Sequence, residues 1–333
     1  MLRFLKNVSA FCAIQLAIFV VLAMRQPTPS KRIFGASIDK HHNAQQEIGH
    51  RVFLVGGSNV AFGFESPEIQ QSLQRRPVNF GLHACLGLDY MLSEVSSEMQ
   101  TGDVVVLIPE YDHFAGDIAG IELFELLEAN PAAAQYIDWS HRMKMLDLGL
   151  VYLRRVCLKG MGSLRDKELY RRTSYNEFGD FAAHHELAAG YKGLGWRDRW
   201  DTINELHLDK VIGQLNDFYA RCRKQGIDVY LLYPALPEDF NTLNRAQLER
   251  IESAVADGCK IPVLNDIDEM VYPNDCFFDT RCHVTYAGKQ RRTTQLIERL
   301  APHLGQPERT IEPDGSDERP PQWAERPGKR QTR

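Results

Sequence analysis

Residues 52–66 read VFLVGGSNVAFGFES, and the fold of the chain turns on that stretch. Val52, Phe53, Leu54 and Val55 form an unbroken apolar run, the pattern of a parallel strand covered on both faces rather than of a half-exposed one. Two glycines follow. Gly56 and Gly57 have access to backbone angles closed to residues with a β-carbon, so the chain can turn sharply and leave Ser58 at the carboxyl edge of the sheet. Open α/β sheets bind their ligands at that edge. Alone, Gly56, Gly57, Ser58 and Asn59 are ordinary turn formers. The far end of the chain supplies them with partners.

There, FFDTRCHVTYAGK at residues 277–289 places Asp279 and His283 just before a helical stretch. A serine hydroxyl is a poor nucleophile until a base removes its proton. A histidine base works best when a carboxylate fixes its tautomer and steadies the imidazolium. Ser58, Asp279 and His283 supply the three residue types.

This arrangement resembles the SGNH (GDSL-type) hydrolase and acyltransferase family, in which the serine follows the first strand and an Asp/His pair sits near the last helix. GGSNV at residues 56–60 stands at the family's GDS block, and Asp279 with His283 at its Asp-x-x-His block, with one extra residue between them. The resemblance implies an oxyanion hole built from the Ser58 amide next to Gly57 and a second amide in NFGLHACLGL (79–88), from Cys85 or Gly87. The family's Gly-x-Asn-Asp is replaced by Pro109, Glu110, Tyr111, Asp112 and His113. A carboxylate cannot donate to an oxyanion, so Tyr111 or Asn59 would have to replace the asparagine. The closest likeness is to membrane-anchored members acting on bacterial cell-surface polymers, as in alginate acetylation or teichoic-acid alanylation. It implies a serine esterase or O-acyltransferase working on an acylated carbohydrate or cell-envelope polymer, with a membrane acyl-transfer protein as a possible partner. No cofactor or metal is expected. The competing reading is a catalytically degenerate binding or accessory protein for polysaccharide assembly.

With 333 residues, 44% hydrophobic and 25% charged, the chain has the composition of a globular protein. A net charge of -5 with scattered Lys and Arg offers no basic field for nucleic acid. Arg3 and Lys6 precede a run without charge from Asn7 to Met24, just long enough to cross a bilayer as a helix. It reads as an inner-membrane single-pass anchor with the catalytic domain outside the cytoplasm, or as a cleaved signal. Residues 25–50, with Pro27, Pro29 and the polar run KHHNAQQE, read as a stalk, and His41 and His42 as solvated linker residues.

Further along, Ser66-Pro67-Glu68 marks a helix start, with Ser66 as cap, running to Leu73. Residues 77–82 predict the second strand, 88–100 a helix, and DVVVLIP (103–109) the central strand. Glu110, Tyr111 and His113 then fall at the same sheet edge as Ser58. Residues 115–225 read as a helical insertion, with helices at 141–158 and 207–223. Its irregular part carries Tyr170, Tyr175, Phe178, Phe181, Tyr191, Trp196 and Trp200, suited to a lid or polymer-binding surface, or to core packing. His184, His185 and Glu186 are adjacent, so they point in different directions and make a poor metal set. IDVYLLY (227–233) predicts a fourth strand, residues 261–264 a fifth, and residues 285–300 the last helix. The expected fold is α/β: three layers, α/β/α, around a five-stranded parallel sheet, in the flavodoxin-like order that the resemblance implies. Residues 305–333 have almost nothing to bury and read as a disordered tail. An oxidising compartment would permit a bridge between Cys276 and Cys282, two free thiols being the alternative.

Overall fold

Strand β1 (Arg51–Gly56) is buried at every residue, as an apolar run in the middle of a sheet must be. In the computed structural model, which describes residues 1–25, 28–46, 49–116, 118–164, 168–195 and 207–304, it pairs in parallel with β2 (Arg76–Asn79) and β3 (Val104–Ile108). β3 in turn pairs in parallel with β4 (Asp228–Leu231), giving the order β2-β1-β3-β4. Both faces of β1 and β3 are covered, the condition that a three-layer α/β/α arrangement satisfies. Gly56 pairs with Ile108, so two residues further on Ser58 and Glu110 come face to face. Because the chain leaves β1 for β2 on one side and returns to β3 on the other, this is the topological switch point of the sheet.

Among the described residues the sheet has four strands, not the expected five. Residues 261–264 contribute only a bridge, Leu231 to Val263, flanked by Leu231 N–H to the Pro262 carbonyl and Leu264 N–H to the Leu231 carbonyl. Pro262 has no N–H, so the ladder cannot extend through it. A separate parallel pair joins β5 (Leu236–Pro237) to β6 (Val271–Tyr272).

Among the described residues the α-helices are, in order, α1 (Leu2–Met24), α2 (Ala36–Ala44), α3 (Ser58–Ala61), α4 (Ser66–Leu73), α5 (Leu88–Ser96), α6 (Tyr111–Phe114), α7 (Glu122–Ala129), α8 (Trp139–Gly160), α9 (Leu208–Lys224), α10 (Glu238–Gly258) and α11 (Tyr286–Leu300). Helix α4 covers its expected span, with its N-terminus held differently. Ser66 is the first helical residue rather than the cap, and its N–H and hydroxyl both donate to the fully buried Asp180, at 2.8 and 2.7 Å. Asn79 at the end of β2 and Asn176 donate to the same carboxylate at 2.8 and 3.1 Å. Asp180 thus ties a helix end, a strand end and the insertion together. Asp180→Ala, which leaves these donors buried without an acceptor, is expected to cost about 3 kcal/mol or more of stability. Asp180→Asn, keeping one acceptor oxygen, should cost less; denaturant melts of both variants check the order.

Within the expected stalk, residues 33–44 belong to the folded body. Helix α2 lies within them, and Phe34, Ala36 and Ala44 join the hydrophobic core. Lys40, buried, donates to the carbonyls of Asn79 and Gly179 at 2.8 and 2.6 Å. His41 bonds Glu98 and Glu94 at 2.8 and 3.1 Å and stacks on Tyr136. Burial alone would lower the His41 pKa, but the two carboxylates push it up to about 9. The letters of KHHNAQQE hide these partners, which lie far away in sequence.

Helix α1 is exposed nearly throughout and is long and apolar enough to cross a membrane. Among its described side chains only Phe19, Leu22 and Ala23, in the last turns, are partly covered. There it packs on α8, where a β-carbon on Gly160 would run into Leu22. Trp196, Trp200 and the tail 305–333 lie outside the described residues.

Candidate active site

Ser58 opens the short helix α3 directly after β1. The glycine before it is needed for space, not for an unusual angle: Gly57 has φ -81°, open to any residue. A β-carbon there would meet the Glu110 carboxylate and lie 2.9 Å from the Ala84 backbone nitrogen. β1 and β3 can therefore bring their loops together at the switch point only with glycine at 57.

The four-residue Asp279-to-His283 spacing is closed by a small antiparallel turn. Phe277 bridges Val284, and the Phe278 N–H donates to the His283 carbonyl at 2.7 Å. Folded back this way, Asp279 Oδ1 meets His283 Nδ1 at 2.8 Å. Tyr170 from the insertion donates its hydroxyl to the other carboxylate oxygen at 2.7 Å. The His283 ring lies flat on Phe62, centroids 3.9 Å apart and 7° from parallel, and Phe62 in turn stacks on Phe181. Arg281 pairs with Asp112 at 2.5 Å, fastening the turn to the end of β3. These contacts leave His283 buried, in one orientation, with Nδ1 engaged and Nε2 as its remaining basic edge.

Ser58, His83, Asp279 and His283 line two adjoining lobes of one cleft, about 360 and 850 Å³. Arg32, Phe62, Arg155 and Tyr170 line the smaller lobe; Cys85, Asp112, Tyr191 and Arg281 line the larger. The Ser58 hydroxyl donates to Glu110 Oε1 at 3.4 Å, and among the described residues no hydrogen bond joins it to His283. Glu110 also accepts the Asn59 N–H at 3.2 Å. Burial would raise the Glu110 pKa, but His113, the Asn59 N–H, Arg281 and His283 outweigh it and hold the carboxyl below its ordinary value.

The donors expected to join the Ser58 amide at an oxyanion are engaged elsewhere. The Cys85 N–H donates to His83 Nδ1 at 3.2 Å and the Gly87 N–H to the Ala84 carbonyl at 3.0 Å. Asn59 Nδ2 donates to the Ile108 carbonyl at 3.1 Å, and Tyr111, buried against Tyr233, donates its hydroxyl to the Pro234 carbonyl at 3.0 Å. Three of these donors take a nearby backbone carbonyl and the Cys85 N–H takes the His83 ring, acceptors that the sequence does not reveal. Sequence reasoning gave no role to His83 within NFGLHACLGL, or to Tyr170 as the partner of Asp279. With Nδ1 accepting the Cys85 N–H, His83 carries its proton on Nε2. Burial pushes its pKa below the ordinary value, against Glu122 and Glu110, and keeps the ring neutral. Burial and Glu122 also push the Cys85 thiol up to about 12, so it does not compete as a nucleophile. Cys276 and Cys282 are both free thiols.

His184 and His185 turn to different partners, His184 to the Val284 carbonyl at 3.1 Å and His185 to Lys289 at 3.0 Å and Glu65 at 3.2 Å. In comparisons with known proteins, no family model matches the chain, and no curated protein is similar enough to stand as a relative. The chemistry must therefore be argued from the cleft. It combines a strand-end hydroxyl, an imidazole held by a carboxylate, and a neutral imidazole N–H.

Proposed function

We propose that the protein is an SGNH-like serine esterase or O-acyltransferase, anchored by α1 in a bacterial inner membrane with its catalytic body outside the cytoplasm. The observation that carries this reading is the Asp279–His283 pair at 2.8 Å opening on the same cleft as Ser58. In the reaction Ser58 Oγ attacks the acyl carbonyl carbon while His283 Nε2 takes the hydroxyl proton. Asp279, held in turn by Tyr170, steadies the imidazolium. The oxyanion takes hydrogen bonds from the Ser58 amide and from His83 Nε2–H, which stands in for the expected asparagine. The leaving alkoxide collects the proton from His283, and the ester of Ser58 is then cleaved by water or by an acceptor hydroxyl activated in the same way.

Because His83 Nε2–H acts on the transition state, His83→Ala should lower turnover about 10²–10³-fold with KM little changed. Steady-state kinetics with an activated acyl ester measures this. The acyl group and acceptor fit an acylated carbohydrate or envelope polymer, with Tyr191 in the larger lobe as a stacking face, delivered by a membrane acyl-transfer partner. The whole reading is tested by esterase turnover of the purified chain and by a reporter fused after Leu300. Turnover and a reporter active only outside the cytoplasm are expected; an inert chain with a cytoplasmic reporter contradicts both halves.

A second reading, a catalytically degenerate binding protein for polysaccharide assembly, is favoured by one observation. The Ser58 hydroxyl faces Glu110 rather than His283. Hydrogen bonds of this kind are commonly long or misaligned until substrate binds. A rotation of one side chain about χ1 redirects the hydroxyl within the shared cleft, so we place this reading second.

A further inference from the structure

Helix α8 carries two apolar stripes. One faces the body through the buried Met145, Tyr152 and Val156. The other consists of Trp139, Met143, Leu146, Leu150 and Leu153, exposed by 74, 45, 71, 79 and 43%. Their alternating steps of four and three residues put them on one side of the helix. An apolar stripe of this length is not left in water without a partner.

We propose that this face of α8 lies in the interface of the same lipid bilayer that α1 crosses. The inference rests on α1 as the anchor. Three observations choose lipid over another occupant. The stripe lies on the helix against which the apolar α1 itself packs, at Leu22 and Gly160. Arg142, Lys144 and Arg154 outnumber Asp147 along the helix, as suits anionic headgroups, while Arg155 and Lys159 pair with Glu125 on the body side. Trp139 ends the stripe, and an indole ring is at home at headgroup depth.

The consequence concerns substrate. Arg155 of α8 lines the smaller lobe of the cleft, together with Arg32 and Phe34 from the segment that follows α1. From Met24 to Arg32 the chain advances eight residues (32 − 24), a reach of about 28 Å at most. The cleft therefore opens beside the bilayer, placed to take its acyl group from a donor held in the membrane surface.

The test uses the full chain in phosphatidylcholine/phosphatidylglycerol vesicles that include acyl-chain-brominated lipid. The fluorescence difference between wild type and Trp139→Phe isolates Trp139 from the other tryptophans. Bromolipid is expected to quench this component. Quenching should fall when phosphatidylglycerol is omitted and be lost in a Leu146→Glu/Leu150→Glu variant whose melt is unchanged, since both side chains are exposed. A Trp139 reached by aqueous iodide instead overturns the proposal. So does one shielded from both quenchers, which marks a second copy of the chain. Carbonate extraction separates the two claims: a chain retained in the vesicles with Trp139 unquenched keeps the anchor and loses the α8 contact. A quenched Trp139 on a chain that carbonate releases does the reverse.

Discussion

A Ser58→Ala chain is expected to fold normally and to lose turnover by on the order of 10⁴-fold or more. The fold should survive because Ser58 contributes one long hydrogen bond, 3.4 Å to Glu110, and Glu110 keeps the Asn59 N–H as a partner. A loss of that size from a half-exposed site costs at most about 1 kcal/mol. Turnover should collapse because without the hydroxyl oxygen no acyl-enzyme forms. A circular-dichroism melt beside esterase kinetics reads both halves. Near-normal turnover in a folded Ser58→Ala chain would remove the serine mechanism.

His283→Ala should be about as damaging as Ser58→Ala, and the double variant scarcely worse than either, since a nucleophile and its base act as one unit. Asp279→Asn should also be severe. Asp279 is itself the acceptor that holds His283 Nδ1, at 2.8 Å, and an amide in its place would favour the wrong tautomer. Tyr170→Phe removes only the second restraint on that carboxylate and should cost far less. Turnover of the single and double variants, compared as a cycle, tests whether the three groups are coupled. Additive losses would mean that Ser58 and His283 act separately.

Much of this site was legible in the sequence because it sits at strand and helix ends. Apolar runs announced β1 and β3, and parallel register then forced Ser58 and Glu110 to one edge. The Asp279–His283 pair was visible as residue types, while the turn that closes their spacing depends on the Phe277–Val284 bridge. What could not be read depends on partners distant in the chain. His41 looked solvated because Glu94 and Glu98 lie beyond two strands. The Gly87, Asn59 and Tyr111 donors looked available because their acceptors are backbone carbonyls, which have no letter. The fifth strand failed at Pro262, a breaker that the apolar neighbours Ile261 and Val263 outweighed in the reading. Gly57 was anticipated for its freedom of angle, whereas the fold requires it for close approach.

In this mechanism Ser58 carries the acyl group. Intact-protein mass spectrometry of the full chain after brief exposure to an activated acyl ester, followed by peptide mapping, tests it most directly. One added acyl mass is expected on the peptide containing Ser58, absent from Ser58→Ala and slow to form in His283→Ala. An unmodified wild-type Ser58, or an equal adduct in Ser58→Ala, would contradict it.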